Sequence, residues 1–298
     1  MKIIPSSRKR HYAARVNIFL VAVALVVGMV GYGGSCLSYN PPPSENLEIR
    51  TWYDLDAVRN NLAGNHTLMN DLDSTTLGYE ELASPTANQG KGWEPMIYEV
   101  NPDWGFMDFT GTFDGQGYEI RDLFIDRPDE FDVGLFGAVG QEGVVENIGV
   151  VNVTVIGEEF VGGLAGINEG TVSNSYSTGN VTGGDGVGGL VGHNWKGGTV
   201  SNSYSSGNVT GDEDVGGLVG FNEEGTVSNS FWDIQTSGQS TSDGGTGKNT
   251  TEMKYIATFS GAAWDIIAVA PGSTNTTFAW NIVNIVDSET YPFLSWQS

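Results

Sequence analysis

From Val133 onward the chain sets short apolar runs between glycine-rich polar turns, and it repeats that arrangement four times. The lines read VGLFGAVGQEGVVENIGVVNVTVIGEEF, VGGLAGINEGTVSNSYSTGNVTGGDG, VGGLVGHNWKGGTVSNSYSSGNVTGDED and VGGLVGFNEEGTVSNSFWDI. They start at Val133, Val161, Val187 and Val215, in steps of 28, 26 and 28 residues. Self-similarity at such a period marks a solenoid, whose units bury their apolar faces only against one another. Glycine interrupts every run before a helical spacing can develop, while Val, Thr and Ser favour strands. Each line offers three strand candidates: Gly189-Leu190-Val191, Thr199 to Ser205, and Asn208-Val209-Thr210. The pattern predicts an all-β fold, a parallel β-helix in which equivalent residues of successive coils stack about 4.8 Å apart.

The register is set by an asparagine. Asn147, Asn174, Asn202 and Asn229 recur at steps of 27, 28 and 27, with Val145, Val172, Val200 and Val227 two residues before. Asp122 and Ile120 fit the same slots one coil earlier, which places the solenoid's start near Phe109. Two readings of the column stay open: a buried, hydrogen-bonded amide stack, or turn residues that tolerate a left-handed backbone. Apolar residues both two before and one after Asn147 require a bend there, because one unbroken strand cannot face both inward. The same bend in later coils turns Ser175, Ser203 and Ser230 inward and Tyr176, Tyr204 and Phe231 outward. The three rings then form a candidate ligand-binding stripe; if the later coils do not bend so, the rings fill the core.

The flanks read differently. Residues 1–36 carry Lys2, Arg8, Lys9, Arg10 and Arg15 before the apolar run Ile18 to Val30, the pattern of a signal peptide or membrane anchor. Gly34-Ser35-Cys36 resembles the end of a lipobox, which makes Cys36 a lipidation candidate. Residues 37–48 form a Pro-rich tether. Residues 49–108 read as an N-terminal cap. Thr51 and Asp54 make a capping box, and Trp52, Leu55, Val58 and Leu62 share a helical face. A strand follows at Thr67 to Met69, then loops anchored by Trp93 and Trp104. The β-helix spans 109–235. Residues 236–298 hold a flexible polar linker, SGQSTSDGGTGKN, and an aromatic-rich C-terminal cap.

Together, serial VGGLVG, FTGTFDGQGYEI and TWYDLDAVRNNLAGNHTLMNDLD resemble the GLUG-motif repeat proteins of bacterial and archaeal surfaces. The tail, with Met253, Trp264-Asp265 and Tyr291-Pro292-Phe293-Leu294, is similar to the ending of such proteins. The resemblance implies an adhesin-like parallel β-helix at the cell surface, without assigned chemistry. Val133-Gly134-Leu135-Phe136-Gly137 departs from it by lacking one glycine.

Charge narrows the partners. All 36 acidic residues lie after Cys36 but only 8 of the basic ones do, leaving a formal charge of −28 there. Such a surface disfavours nucleic acid and anionic membranes; any membrane contact falls to the N-terminal segment. Acidic residues gather before each line, at Asp129, Glu130 and Asp132, at Glu158 and Glu159, at Asp185, and at Asp212, Glu213 and Asp214. Of these, Glu158, Glu159, Asp185, Asp212 and Asp214 are the candidates for a Ca²⁺ edge; otherwise they form a solvated rim, and no other cofactor is implied. Beyond the N-terminal segment the histidines are His66 and His193, too few for a nucleophilic triad, and Lys196 alone is thin support for a lyase. Asn-X-Thr occurs at Asn65, Asn152, Asn180, Asn208, Asn249 and Asn275, six possible glycan acceptors. The sequence therefore reads as a non-catalytic, monomeric, secreted or surface-held solenoid for recognition of glycan or protein. The alternatives are a polysaccharide-degrading lyase or glycosidase, and a purely structural envelope component.

Overall fold

A computed structural model describes residues 46–101, 105–284 and 289–295. The signal or anchor segment, Cys36, most of the tether, Trp104 and Trp296 lie outside the described residues. The strands Tyr98–Asn101 and Gly105–Met107 pair antiparallel and fall outside the unit that holds the rest of the described chain. The rest of the described chain forms a second unit, built on parallel strands.

Each coil of that unit has four faces rather than the three short runs expected. The coil from Asp185 shows them: Asp185–Gly188, then Val191–Trp195, then Thr199–Ser201, then Tyr204–Ser205 with Asn208–Thr210. Successive coils stack each face into its own parallel sheet, with Val172 against Val200 against Val227. Gly189-Leu190 is a corner and not a strand. Glycine allows the sharp turn there, and the leucines at the corner, Leu135, Leu164, Leu190 and Leu218, point into the core with no exposure. Beyond the corner the chain folds back so tightly that a Cβ on Gly192 would lie 2.5 Å from the backbone nitrogen of Val161.

The expected bend falls at the asparagines. Asn147, Asn174, Asn202 and Asn229 have φ of 56°, 46°, 47° and 48°, the left-handed region that Asn tolerates better than most residues. The bend lets Val145 and Ile148 both reach the core. The column is a turn column that is half-buried or exposed, yet it keeps amide contacts. Asn174 Nδ2 donates to Asn147 Oδ1 at 3.3 Å, and Asn147 Nδ2 to Asp114 Oδ1 at 3.0 Å.

The earliest coil is registered differently from the sequence expectation. Val145 stands beside Phe113, whereas Ile120 pairs with Val150. Asp122 sits below Asn152, whose Nδ2 donates to its Oδ1 at 2.7 Å. Stacking also begins before Phe109. Asn65–Leu68 pairs with Thr112–Asp114, and Glu48–Ile49 with Asn65–Leu68. An uncovered parallel edge would leave rows of unpaired N–H and C=O groups, and these two strands extend the stack at that end. The helix Trp52–Ala57 starts at the Thr51/Asp54 capping box, and Trp52, Leu55, Val58 and Leu62 are buried.

The polar stretch after Trp232 is held, not loose. Gly217 N donates to Thr241 O, Leu218 N and Val219 N donate to Ser242 Oγ, and Asp243 N donates to Val219 O. The last coil's backbone donors have no further coil to bond, and this segment meets them. The strand Thr246–Lys248 then adds beside Phe231–Asp233. Two short helices, Thr250–Met253 and Ile256–Ser260, follow. A three-stranded sheet of Ile266–Val269, Trp280–Val283 and Phe293–Leu294 completes a C-terminal lobe.

Candidate functional site

The bend does turn Tyr176, Tyr204 and Phe231 off the solenoid core, with Ser175, Ser203 and Ser230 inward and buried. The tyrosine rings stack at 4.9 Å with 5° between planes. Gly149 fills this slot one coil earlier, and its missing side chain leaves room for the Tyr176 ring. The stripe is nevertheless not a contact surface. Tyr176, Tyr204 and Phe231 are only 4%, 2% and 5% exposed, because Phe259, Trp264, Trp280 and Leu294 of the C-terminal lobe pack over them as a second apolar core. Covering each ring is worth about 2 kcal/mol or more, one contribution to holding the lobe in place.

The covered phenols are also bonded. Tyr176 Oη donates to Glu119, which pairs with Arg121. Tyr204 Oη donates to Pro292 O at 2.8 Å, and Tyr291 Oη to Asp233 Oδ2 at 2.6 Å. Burial first, then the nearby Glu119 charge, raises the Tyr204 phenol well above its ordinary range. Burial also raises Glu119, opposed by Tyr176 and Arg121.

The acidic edge comes only partly together. Glu159, Asp185 and Glu213 stand in register on neighbouring coils. Glu158 and Asp212 occupy exposed turn positions, Glu159 is buried, and Asp214 lies on a left-handed kink with φ of 44°. Alternation along the strand and the kink aim these carboxylates in different directions. Among the described residues, no group of three or more His, Cys, Asp or Glu side chains is placed to hold a metal ion. The five residues expected to form a Ca²⁺ edge are therefore not gathered into one. His66 is buried with Nε2 2.9 Å from Asn61 O, and burial lowers its pKa. His193 is enclosed between Phe160 and Phe221, with ring centroids at 4.7 and 5.0 Å. Lys196 lies over the Trp195 ring at 5.2 Å.

Two features escaped the sequence reading. One is a buried amide ladder on the Gly-Asn face: Asn168 Nδ2 donates to Asn194 Oδ1, and Asn194 Nδ2 to Asn222 Oδ1, both at 2.8 Å. Its signal was available in Ile167-Asn168, His193-Asn194 and Phe221-Asn222, one per coil. The other is a polar groove of about 260 Å³ where the asparagine corner meets the C-terminal lobe. Asp114, Gln116 and Asn147 line one wall, and Thr276, Thr277 and Ser295 the other. Beside it, Glu146 stands in register with Asp114, and burial, then the Asp114 charge, raises its pKa. The groove thus offers carboxylate, amide and hydroxyl groups along one short track, the set that matches sugar hydroxyls or a polar peptide.

Against known proteins, the GLUG motif matches residues 161–182 and 183–210, the two coils with complete VGGL starts and NVT strands. Halomucin of Haloquadratum walsbyi is 36% identical over 156 residues, covering 51% of this chain and 2% of halomucin. A protein described as a Gly-rich membrane protein, from Evansella cellulosilytica, is 35% identical over 227 residues, covering 63% of this chain and 25% of that protein. The chain therefore spans only a small part of either relative. A solved structure from Bacteroides ovatus, described as an immunoglobulin A1 protease, aligns over 65% of this chain and 68% of its own. Its TM-score is 0.48 at 17% identity.

Proposed function

Starting from a GLUG-motif repeat protein wound as a parallel β-solenoid, we propose a non-catalytic recognition module at the cell surface, taking a glycan or a polar protein segment on its outer face. The groove between the asparagine corner and the C-terminal lobe carries this reading. Its walls are largely polar, and on one side they are the corners held between stacked strands. Rigid placement lowers the cost of ordering a site on binding. The names of the two relatives, one a halomucin and one a membrane protein, support a surface or membrane-associated location, and neither name states a reaction. Export and attachment through the basic-apolar N-terminal segment belong to the same proposal.

Hydrolysis of a glycoside is the weaker reading. It needs two carboxyl groups on either side of the bond that breaks. Asp114 and Glu146 instead stand side by side on neighbouring coils. The deciding experiment screens residues 46–298 on a glycan array, alongside D114A, N147A and T277A. We expect retained binders to weaken at least tenfold in D114A and N147A when binding is read well below their melting transitions, which should fall somewhat because Asn147 holds φ of 56° and bonds Asp114. Full binding by both variants would move the contact surface elsewhere, and release of reducing ends from any array sugar would make the protein an enzyme.

A further inference from the structure

The six Asn-X-Thr sites are equal in sequence, but the fold separates them. Asn249 caps a helix, its Oδ1 accepting from Glu252 N at 2.9 Å. Asn275 Oδ1 accepts from Thr277 N at 3.0 Å, closing a local turn. Asn152 gives its amide to Asp122 and bends the strand at φ of 56°. In these three, the side chain is part of the fold. Asn180 and Asn208 are different. They lie in register on adjacent coils and are exposed, and the valines that follow, Val181 and Val209, are buried. Alternation along the strand therefore holds Asn and Thr of each triplet on the same outer face. In the Asn208 triplet the amide stands 3.4 Å from the Thr210 hydroxyl. Asn65 is exposed as well, outside the repeat column.

From this sorting we infer that Asn180 and Asn208 are acceptors of N-linked glycans, and that Asn152, Asn249 and Asn275 are not. The co-reactant is an oligosaccharide carried on a lipid phosphate. The Asn amide nitrogen bonds to the anomeric carbon, the bond from that carbon to the phosphate oxygen breaks, and the amide proton leaves with the lipid phosphate. No electron is gained or lost. A glycan there projects from the outer face without displacing any core side chain, whereas Asn249 and Asn275 are half-buried, and the bonds their Oδ1 atoms accept hold each side-chain amide against its own turn and away from an incoming transferase. The inference rests on the surface reading, since such transfer takes place outside the cytosol.

The test is intact glycopeptide mass spectrometry on the full chain purified from the cells that make it, after fractionation into cytosol, membrane and medium. Glycan mass on the Asn180 and Asn208 peptides is expected, with bare peptides for Asn152, Asn249 and Asn275. T182V should remove the Asn180 glycan while keeping the asparagine and the strand, and its melting curve should match the parent. Bare Asn180 and Asn208, or glycan found on Asn249 or Asn275 instead, would overturn the inference wherever the protein is recovered. Recovery from the cytosol alone would separately overturn the surface reading.

Discussion

Tyr204 and Tyr291 lie parallel, their ring centroids 6.1 Å apart and their planes 7° from each other. One belongs to a repeat coil and the other to the tail, so the tail continues the aromatic stack that the coils begin. The same tyrosine of the coil is bonded through its hydroxyl to Pro292 O. The C-terminal lobe is thus fastened to the solenoid by ring packing and by phenol hydrogen bonds, on the face that sequence alone presents as open.

Truncating that contact should release the lobe. Tyr204→Ala removes a ring packed between Tyr176, Trp264, Trp280 and Tyr291, at a cost of about 3–5 kcal/mol. Tyr204→Phe keeps the ring and loses only the bond to Pro292, about 1 kcal/mol. Urea unfolding followed by tryptophan emission separates the two, since Trp264 and Trp280 report on the lobe. Equal, small losses would mean that the ladder does not hold the lobe.

Alkali should loosen the same junction. Burial raises both Tyr204 and Tyr291 above the ordinary phenol range, and for Tyr291 the hydrogen bond to Asp233 adds to it. Unfolded, both phenols lose their protons near pH 10. The folded state keeps them, so it binds more protons than the unfolded state there, and stability falls as pH rises above about 10. Urea midpoints between about pH 8 and pH 11 should drop in the parent and drop less in the Tyr204→Phe/Tyr291→Phe double variant.

Glycine substitutions should divide by what a methyl meets. At Gly192 the added Cβ would press on the backbone of Phe160 and Val161 at 2.6 and 2.5 Å. Two sheets would have to part, and Gly192→Ala should cost about 1–3 kcal/mol or more. Gly197 has φ of 88° but open space around it, so Gly197→Ala should cost only the backbone strain, about 1–2 kcal/mol. Thermal midpoints measure both; a milder effect at Gly192 would contradict the close packing of those faces.

Breaking the buried amide ladder should be costly from its centre. Asn194→Ala removes three hydrogen bonds at once: the Asn168 amide keeps only Thr199 O, the Gly198 carbonyl keeps only Thr226 N, and the half-buried Asn222 oxygen loses its ladder donor. Each lost partner costs about 1–3 kcal/mol. Asn222→Ala, at the half-buried end of the ladder, should cost less. Denaturant midpoints that rank the two in the opposite order would show that the ladder adds little.

The sequence by itself determined the period, the parallel winding, the bend at each asparagine and the helix at Thr51. Each follows from local chemistry: strand formers between glycines, a residue that accepts a left-handed φ, and a side chain that caps its own helix. It posed, without deciding, whether Tyr176, Tyr204 and Phe231 leave the coil interior or fill it. Only the tertiary structure decided that Trp264, Trp280 and Tyr291 cover them, because that depends on where a non-repeating tail folds back and no period announces it. The same holds for the acidic edge and the groove. Spacing brought Glu159 and Asp185 into register, but side-chain direction at a kinked edge is set by the neighbouring coil. The groove exists only where Asp114 and Asn147 meet Thr276 and Thr277, residues that no local pattern links.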